Sequence, residues 1–127
     1  MIINDPATLT ELRSAFKRYE QALMNNDIEE LTNLFWHAPQ TVRYGIGENL
    51  YGIDEIVAFR SRRIGGSPQR RIMREALTVY GTDFGTANVE FQRSGSDRIG
   101  RQSQSWMRTK DGWKIVSAHV SFMADHS

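Results

Sequence analysis

The second half of this sequence alternates between apolar and polar residues, which is the pattern of β-strands that bury one face. Four such runs, separated by short turn sequences, are predicted near residues 70–80, 86–93, 98–109 and 113–123. The Asp111-Gly112 pair between the last two runs is a strong hairpin signal. Because connections this short join strands that run in opposite directions, the sequence predicts an antiparallel meander.

The first third of the sequence predicts helices instead. Asp5 can accept hydrogen bonds from the free N–H groups of a helix start, and Pro6 suits the first helical position. The apolar residues that follow recur at steps of three and four, which places them on one face of a helix of about 20 residues. These residues are Leu9, Leu12, Phe16, Tyr19 and Leu23.

Shorter elements lead from this helix to the meander. Asp27 and Glu30 resemble a capping box, which predicts a short second helix. The sequence then predicts a strand over residues 41–44, a loop over 45–52 and a third helix over 53–64. Helices followed by a meander predict an α+β fold. We expect one domain over residues 1–127, with three N-terminal helices packed on a curved antiparallel sheet.

Composition excludes several classes of function. The chain has no cysteine, which excludes disulfides, thiolate metal sites and a cysteine nucleophile. No second histidine or carboxylate lies at a metal-like spacing from His119, so we expect neither a metal nor another cofactor. A net charge of +1 is weaker than that of most nucleic-acid-binding domains. The apolar runs are too short to span a membrane, and residues 1–12 show no signal peptide, so we expect a cytoplasmic protein.

Arginine is in excess over lysine. Thirteen of the 16 basic residues are arginine, and six of the 13 lie between Arg60 and Arg74. The guanidinium group binds carboxylates and phosphates through two parallel hydrogen bonds, so the excess favours a small anionic ligand. We expect most of the Arg60 to Arg74 cluster to lie on surfaces or rims. Arg43, in the predicted first strand, is the arginine to which we assign a function.

Both faces of the last predicted strand are largely uncharged. One parity carries Trp113, Ile115 and His119, and the other carries Val116 and Val120. One face must cover the core, and a second copy of the chain is the simplest cover for the other. We therefore expect a homodimer, which could pair further into a tetramer.

Polar and aromatic residues on the predicted strands and helices offer a candidate site. Tyr19 can donate to a developing oxyanion or transfer a proton, Arg43 can hold a carboxylate, and the imidazole group of His119 is a side chain suited to proton transfer. Each also has a structural alternative, as a core tyrosine, a solvated arginine or a structural histidine. Glu90 is either a general base or the counterion of an arginine. The other candidates for substrate binding are Gln102, Gln104, Trp106 and Phe59.

The arrangement of helix, helix, strand, helix and meander resembles the cone-shaped nuclear transport factor two-like superfamily, also called SnoaL-like or ketosteroid isomerase-like. The last strand, residues 112–121, is typical of many members. Longer segments resemble the AtzH-like family of this fold. They are Thr41–Gly45, Glu48–Gly52, Ala58–Arg60 with Arg62, Gly100–Trp106 and Ala118–Ser121.

This resemblance implies a decarboxylating amidohydrolase that acts on 1,3-dicarboxyurea or a similar carboxylated urea. It implies a metal-free pocket whose key groups are Tyr19 and Arg43. The fold does not dictate the chemistry, so two alternatives stay open. One is an isomerase or dehydratase that uses Glu90 or His119 as base, and the other is a non-catalytic module that binds a small acid.

Overall fold

In the computed structural model, which describes residues 1–63 and 65–124, three helices pack on one face of a six-stranded sheet. The helices are α1 (Pro6–Met24), α2 (Ile28–Leu34) and α3 (Ile53–Arg62), and the strands are β1 (Val42–Tyr44), β2 (Asn49–Tyr51), β3 (Arg70–Tyr80), β4 (Phe84–Arg93), β5 (Gly100–Thr109) and β6 (Gly112–Phe122). The α+β class, the three helices and the four-stranded meander are confirmed. No helix of the described residues is both long and apolar enough to cross a membrane.

Two of the helix starts are fixed by the aspartates that the sequence singled out. The Asp5 carboxylate accepts a hydrogen bond from the backbone N–H of Thr8 at 3.1 Å and another from its hydroxyl. These bonds stabilise the charged carboxylate and lower the pKa of Asp5. Asp27 accepts from the backbone N–H of Glu30 at the start of α2. Local capping chemistry therefore sets where α1 and α2 begin.

The strand order is β2-β1-β6-β5-β4-β3. The meander of β3 to β6 is antiparallel throughout, whereas β1 runs parallel to β6. The prediction of a loop over residues 45–52 was wrong in part, because Asn49–Tyr51 forms β2 and pairs with β1. The β1–β2 hairpin thus widens the sheet beyond the last strand of the meander and brings Arg43 next to Ala118.

The core lies between the helices and the inner face of the sheet. The predicted stripe of α1 is buried there, with Leu12 and Phe16 almost fully enclosed. Trp106, Ile115 and Val79 supply the facing surface of the sheet. Phe35, at the end of α2, forms a β-bridge with Ile115 of β6, and this contact closes the core.

A β-bulge in β6 changes which side chains face the core. Ser105 is opposite Ser117, but Trp106 is opposite Ile115, so Val116 is an extra residue in β6. Ile115 before the bulge and Ala118 after it therefore both face inwards. His119 is turned to the outer face of the sheet as a result.

Candidate functional site

Arg43 projects from the middle of the short strand β1 onto the inner face of the sheet. Only 7% of the residue is exposed, and its Nη1 donates to Oε1 of Glu48 at 2.8 Å. Its guanidinium carbon lies 5.3 Å from the centre of the Phe59 ring, which provides a cation–π contact. Gly45 makes this arrangement possible, because a Cβ there would collide with the Glu48 carboxylate. Arg43 is thus held by one carboxylate and one aromatic ring at the edge of the core.

Tyr19 of α1 and Arg60 of α3 contact each other in the same part of the molecule as Arg43. Both are almost fully buried, and Nη2 of Arg60 donates to the Tyr19 hydroxyl at 3.2 Å. Burial lowers the pKa of Arg60, and the positive charges of Arg43 and Arg63 lower it further, although Tyr19 acts in the opposite direction. No carboxylate of the described residues pairs with Arg60, and its Nε has no hydrogen-bond partner there. This guanidinium is therefore buried without a compensating negative charge.

Gln102 is held in place by a second buried arginine. Nη2 of Arg70 donates to the side-chain oxygen of Gln102 at 3.1 Å and also pairs with the carboxylate of Glu20. The Arg70 guanidinium lies over the Phe91 ring at 4.3 Å. The amide nitrogen of Gln102 is buried and has no partner among the described residues. Gln102 therefore presents an unused donor on the inner face of the sheet.

These groups line two adjoining depressions. The outer one, which we call the vestibule, has a volume of about 360 Å³ and is lined by Arg43, Ile46, Glu48, Phe59, Arg62, Arg63, Arg93 and Val120. The inner one, which we call the recess, has a volume of about 30 Å³ and is lined by Tyr19, Leu23, Arg43, Arg60, Arg63, Ser67, Pro68, Arg70, Arg93, Gln102 and Val120. Because Arg43, Arg63, Arg93 and Val120 line both, the recess opens at the back of the vestibule.

The walls of both depressions carry a strong excess of positive charge. Six arginines line them, whereas Glu48 is the acidic residue in the described lining and Glu20 pairs with Arg70 from the side. Burial, together with the charges of Arg63 and Arg70, lowers the pKa of Arg93. The expectation that the Arg60 to Arg74 cluster lies mostly on surfaces or rims was wrong for Arg60 and Arg70, because tertiary packing buries both.

The structure brings four of the predicted site residues together and separates the others. Tyr19, Arg43 and Gln102 line the recess, and Phe59 lines the vestibule. His119 lies on the outer face, where its ring packs edge-on against Tyr44 at 5.8 Å. The prediction that grouped His119 with Arg43 was wrong, because the bulge at Val116 inverts the alternation of β6 before His119.

Glu90 also lies on the outer face and is exposed. It is opposite Arg74 of β3 and Arg101 of β5 in the strand register, which favours the counterion interpretation over the general base. A base on this face is separated from the recess by the sheet itself.

Gln104 and Trp106 face inwards but belong to the core. Nε1 of Trp106 donates to the side-chain oxygen of Gln104 at 3.0 Å, and both residues are almost fully enclosed. Neither lines the vestibule or the recess. Their prediction as substrate-binding residues is corrected, because tertiary packing encloses both side chains in the core.

Arg60, Arg70 and Arg93 line the site but were not predicted as site residues. Arg60 follows Ile53 and Ile56 on the apolar side of α3, which is a signal of burial. Arg93 continues the inward alternation of Val89 and Phe91 along β4. Arg70 had no such signal, because a bulge between Ile72 and Arg74 shifts the alternation of β3.

The site is rich in hydrogen-bond donors and positive charge, and it offers few acceptors. Within residues 1–63 and 65–124, no three His, Asp or Glu side chains come together in a way that could hold a metal ion. The chemistry that its own side chains support is the binding of an anion, the polarisation of a carbonyl group and the transfer of one proton from a phenol.

Comparison with solved structures identifies similar chains, among them the following three. A protein of unknown function from Pectobacterium atrosepticum is 49% identical, with a TM-score of 0.93 over 96% of this chain and 95% of that chain. A cystatin-like fold protein from Burkholderia xenovorans is 45% identical, with a TM-score of 0.93 over 99% of each chain. A nuclear transport factor 2-like superfamily protein from Salmonella enterica shares the fold at 22% identity, with a TM-score of 0.77 over 95% and 94% of the two chains.

No curated protein matches the chain. A family model does match, and it covers residues 1–126 under the description AtzH-like. Structures described as nuclear transport factor 2-like share this fold of three helices on a curved sheet. The chain therefore belongs to the AtzH-like family.

Proposed function

We propose that this protein is a cofactor-independent hydrolase of a small carboxylated urea or amide, of the 1,3-dicarboxyurea type. The observation that carries the proposal is the position of Arg43 and Tyr19 on one recess, within a wall in which six arginines outnumber the paired carboxylates of Glu48 and Glu20. A substrate with more than one carboxylate is the complement of such a wall.

In this proposal Arg43 anchors a substrate carboxylate. It lines both depressions and contacts the Phe59 ring, and its present partner Glu48 shows that its guanidinium accommodates a carboxylate. An incoming carboxylate would take the place of Glu48 or share the guanidinium with it. The fork-shaped donor set would then fix the orientation of the substrate as well as bind it.

Tyr19 supplies the proton in this proposal. When the bond between nitrogen and the carboxylate carbon breaks, carbon dioxide leaves and the electron pair stays on nitrogen. One proton then completes the N–H bond, and water restores the proton to Tyr19. Because Arg60 donates to the Tyr19 hydroxyl, the oxygen acts as acceptor toward Arg60 and its own hydrogen is available for the substrate.

The alternative of an isomerase or dehydratase requires a base next to the substrate. The two bases considered from the sequence, Glu90 and His119, lie on the outer face of the sheet. The described lining of the recess holds no carboxylate and no histidine. These positions favour the hydrolase over that alternative.

The test is an assay of carbon dioxide release from freshly prepared 1,3-dicarboxyurea and related carboxylated ureas. We expect turnover by the wild type and a loss of about 10- to 100-fold in Arg43→Lys, because a point charge cannot replace two charge-assisted hydrogen bonds. Tyr19→Phe should lose about 100-fold or more, which is typical of the removal of a general acid. His119→Gln is the matched control and should keep wild-type turnover.

Absence of turnover by the wild type, with binding of small carboxylates retained, would contradict the hydrolase and support the binding module. Full activity in Arg43→Lys would remove Arg43 from the mechanism. Unchanged turnover in Tyr19→Phe would make Tyr19 a packing residue.

We also propose that two copies of the chain pair through the outer face of β6. Val116, which the bulge adds to this strand, is half-buried, and Ser117 and His119 beside it are exposed and are neither acidic residues nor lysine or arginine. Sedimentation analysis of wild type and Ser117→Arg tests the pairing. We expect a dimer for the wild type and dissociation of the variant, whereas a monomeric wild type would contradict the proposal.

A further inference from the structure

Two buried donors of the recess have no hydrogen-bond partner among the described residues. They are Nε of Arg60 and the amide nitrogen Nε2 of Gln102. The residues are 4% and 5% exposed, and both line the recess. A buried donor without an acceptor costs about 1–3 kcal/mol, so two beside one small space indicate a group that arrives with an acceptor.

The orientation of the Gln102 amide follows from its neighbours. Arg70 has only donors to offer, so the group that faces it must be the amide oxygen, which accepts at 3.1 Å. The Arg70 side chain is held in this orientation, because it pairs with Glu20 and lies over the Phe91 ring. Gly100 leaves the space for that ring, since a Cβ there would lie 2.2 Å from it. The Gln102 amide nitrogen is therefore fixed as a donor.

The size of the recess limits what it can hold. About 30 Å³ is enough for one or two water-sized groups. It therefore accommodates one oxygen-bearing group of a ligand, while the vestibule of about 360 Å³ accommodates the remainder.

We propose that the recess is a subsite for a single carbonyl oxygen, in which Arg60 and Gln102 are binding residues and the Glu20–Arg70 pair is the positioning device that fixes the Gln102 amide. The inference rests on the proposed function and deepens it, because it assigns the central carbonyl of the substrate to the recess and a terminal carboxylate to Arg43. The same donors would stabilise negative charge on that oxygen. The subsite selects an acceptor at this position and discriminates against an apolar group.

Two dicarboxylates provide the test. In 3-oxoglutarate a central carbonyl lies between two carboxylates, with methylene groups where a dicarboxyurea has N–H groups. Glutarate has the same length and charge but a methylene group in place of the carbonyl. The ratio of their dissociation constants, measured by calorimetry with fresh 3-oxoglutarate, reports on the recess, whereas the affinity for glutarate alone reports on the anion site. We expect the wild type to prefer 3-oxoglutarate by about 10-fold or more.

Three variants test whether the hydrogen-bond donors of the recess, rather than the packing around it, determine the preference for 3-oxoglutarate. Gln102→Leu removes the amide and should reduce the preference to less than 3-fold with glutarate affinity within 3-fold of wild type. Arg60→Lys keeps the charge but removes Nε, and it should also lower the preference. Glu20→Gln should lower it through Arg70, without contact with the ligand. Glu30→Gln is the matched control, since it removes the exposed ion pair with Arg18 and should leave the preference unchanged.

The possible results are distinct. A wild-type preference near one, or a preference that survives both Gln102→Leu and Arg60→Lys, overturns the carbonyl subsite. An equal loss of affinity for both ligands in Gln102→Leu also overturns it, because the amide would then serve the fold or the whole site. If wild type binds neither dicarboxylate, the subsite and the anion site of the proposed function both fail. If it prefers 3-oxoglutarate but turns over no carboxylated urea, the subsite stands and the hydrolase fails.

Discussion

Two glutamines on the same face of β5 have different surroundings, although only one residue separates them along the strand. Gln104 is enclosed in the core, where its oxygen accepts from Trp106. Gln102 lines the recess, where its oxygen accepts from Arg70. Each has an amide nitrogen without a partner in the described part of the chain. The difference shows that the cover over the sheet, rather than residue type or strand alternation, decides which polar residue faces a ligand.

The cover differs because the helices pack unevenly on the sheet. Beyond Gln104, toward the turn between β5 and β6, Phe35 at the end of α2 bridges Ile115, and Glu11 of α1 accepts from Trp113. Near Gln102 the cover consists of the second half of α1 and of Arg60 from α3, which leaves a cavity between them. The first region, which we call the closed end, stabilises the fold. The second, which we call the open end, carries the charge.

The largest expected effect is the loss of stability when the closed end is emptied. Trp106→Ala should lower the free energy of unfolding by about 3–5 kcal/mol, because a fully buried aromatic side chain is replaced by a cavity. Urea unfolding measures this change. Phe84→Ala is the control, since 41% of Phe84 is exposed and its loss should cost less. A cost below about 1 kcal/mol for Trp106→Ala would contradict the assignment of the closed end to stability.

The second prediction concerns the open end, where the loss of a buried side chain should affect ligand binding and not lower stability. Arg60→Met removes a buried charge that no carboxylate compensates, and should leave the free energy of unfolding unchanged or raise it by about 1 kcal/mol. The same change should reduce the increase in melting temperature that 3-oxoglutarate produces. Both effects can be measured by thermal unfolding with and without ligand. A variant that melts well below wild type and is still stabilised by 3-oxoglutarate to the same extent would show that Arg60 serves the fold.

The smallest effects are expected on the outer face. Glu90→Gln should change the free energy of unfolding by less than about 0.5 kcal/mol, because this carboxylate is exposed and lies outside the recess. Its turnover of carboxylated ureas should remain within about 2-fold of wild type. A 100-fold loss of turnover would support Glu90 as a general base. It would contradict the placement of the functional residues on the inner face of the sheet alone.

Much of the fold followed from local signals, whereas the site depended on tertiary structure. Asp5, Asp27 and the turn signals defined the helices and the meander. The strand β2 was not predicted, because three residues are too few to show an alternation. The face of the sheet on which His119 lies was predicted wrongly, because the bulge at Val116 inverts the alternation of β6. The pattern of apolar and polar residues does not reveal this bulge.

The candidate site was predictable where a functional residue lay on an otherwise apolar face. Tyr19 is the polar-tipped member of the α1 stripe, and Arg43 alternates with outward residues in β1. Arg60 also lies on an otherwise apolar face of α3, but the other arginines close to it in the sequence favoured the prediction of a surface position. That Arg70 faces the same recess depends on a bulge and on Glu20, which is 50 residues away in the sequence.

A crystal structure of the protein grown with glutarate would show whether the open end binds a small carboxylate through Arg43. We expect a carboxylate of glutarate in the vestibule within hydrogen-bond distance of the Arg43 guanidinium, in place of or beside Glu48. Glutarate bound elsewhere, with Arg43 still paired to Glu48 and the vestibule filled with water, would contradict it.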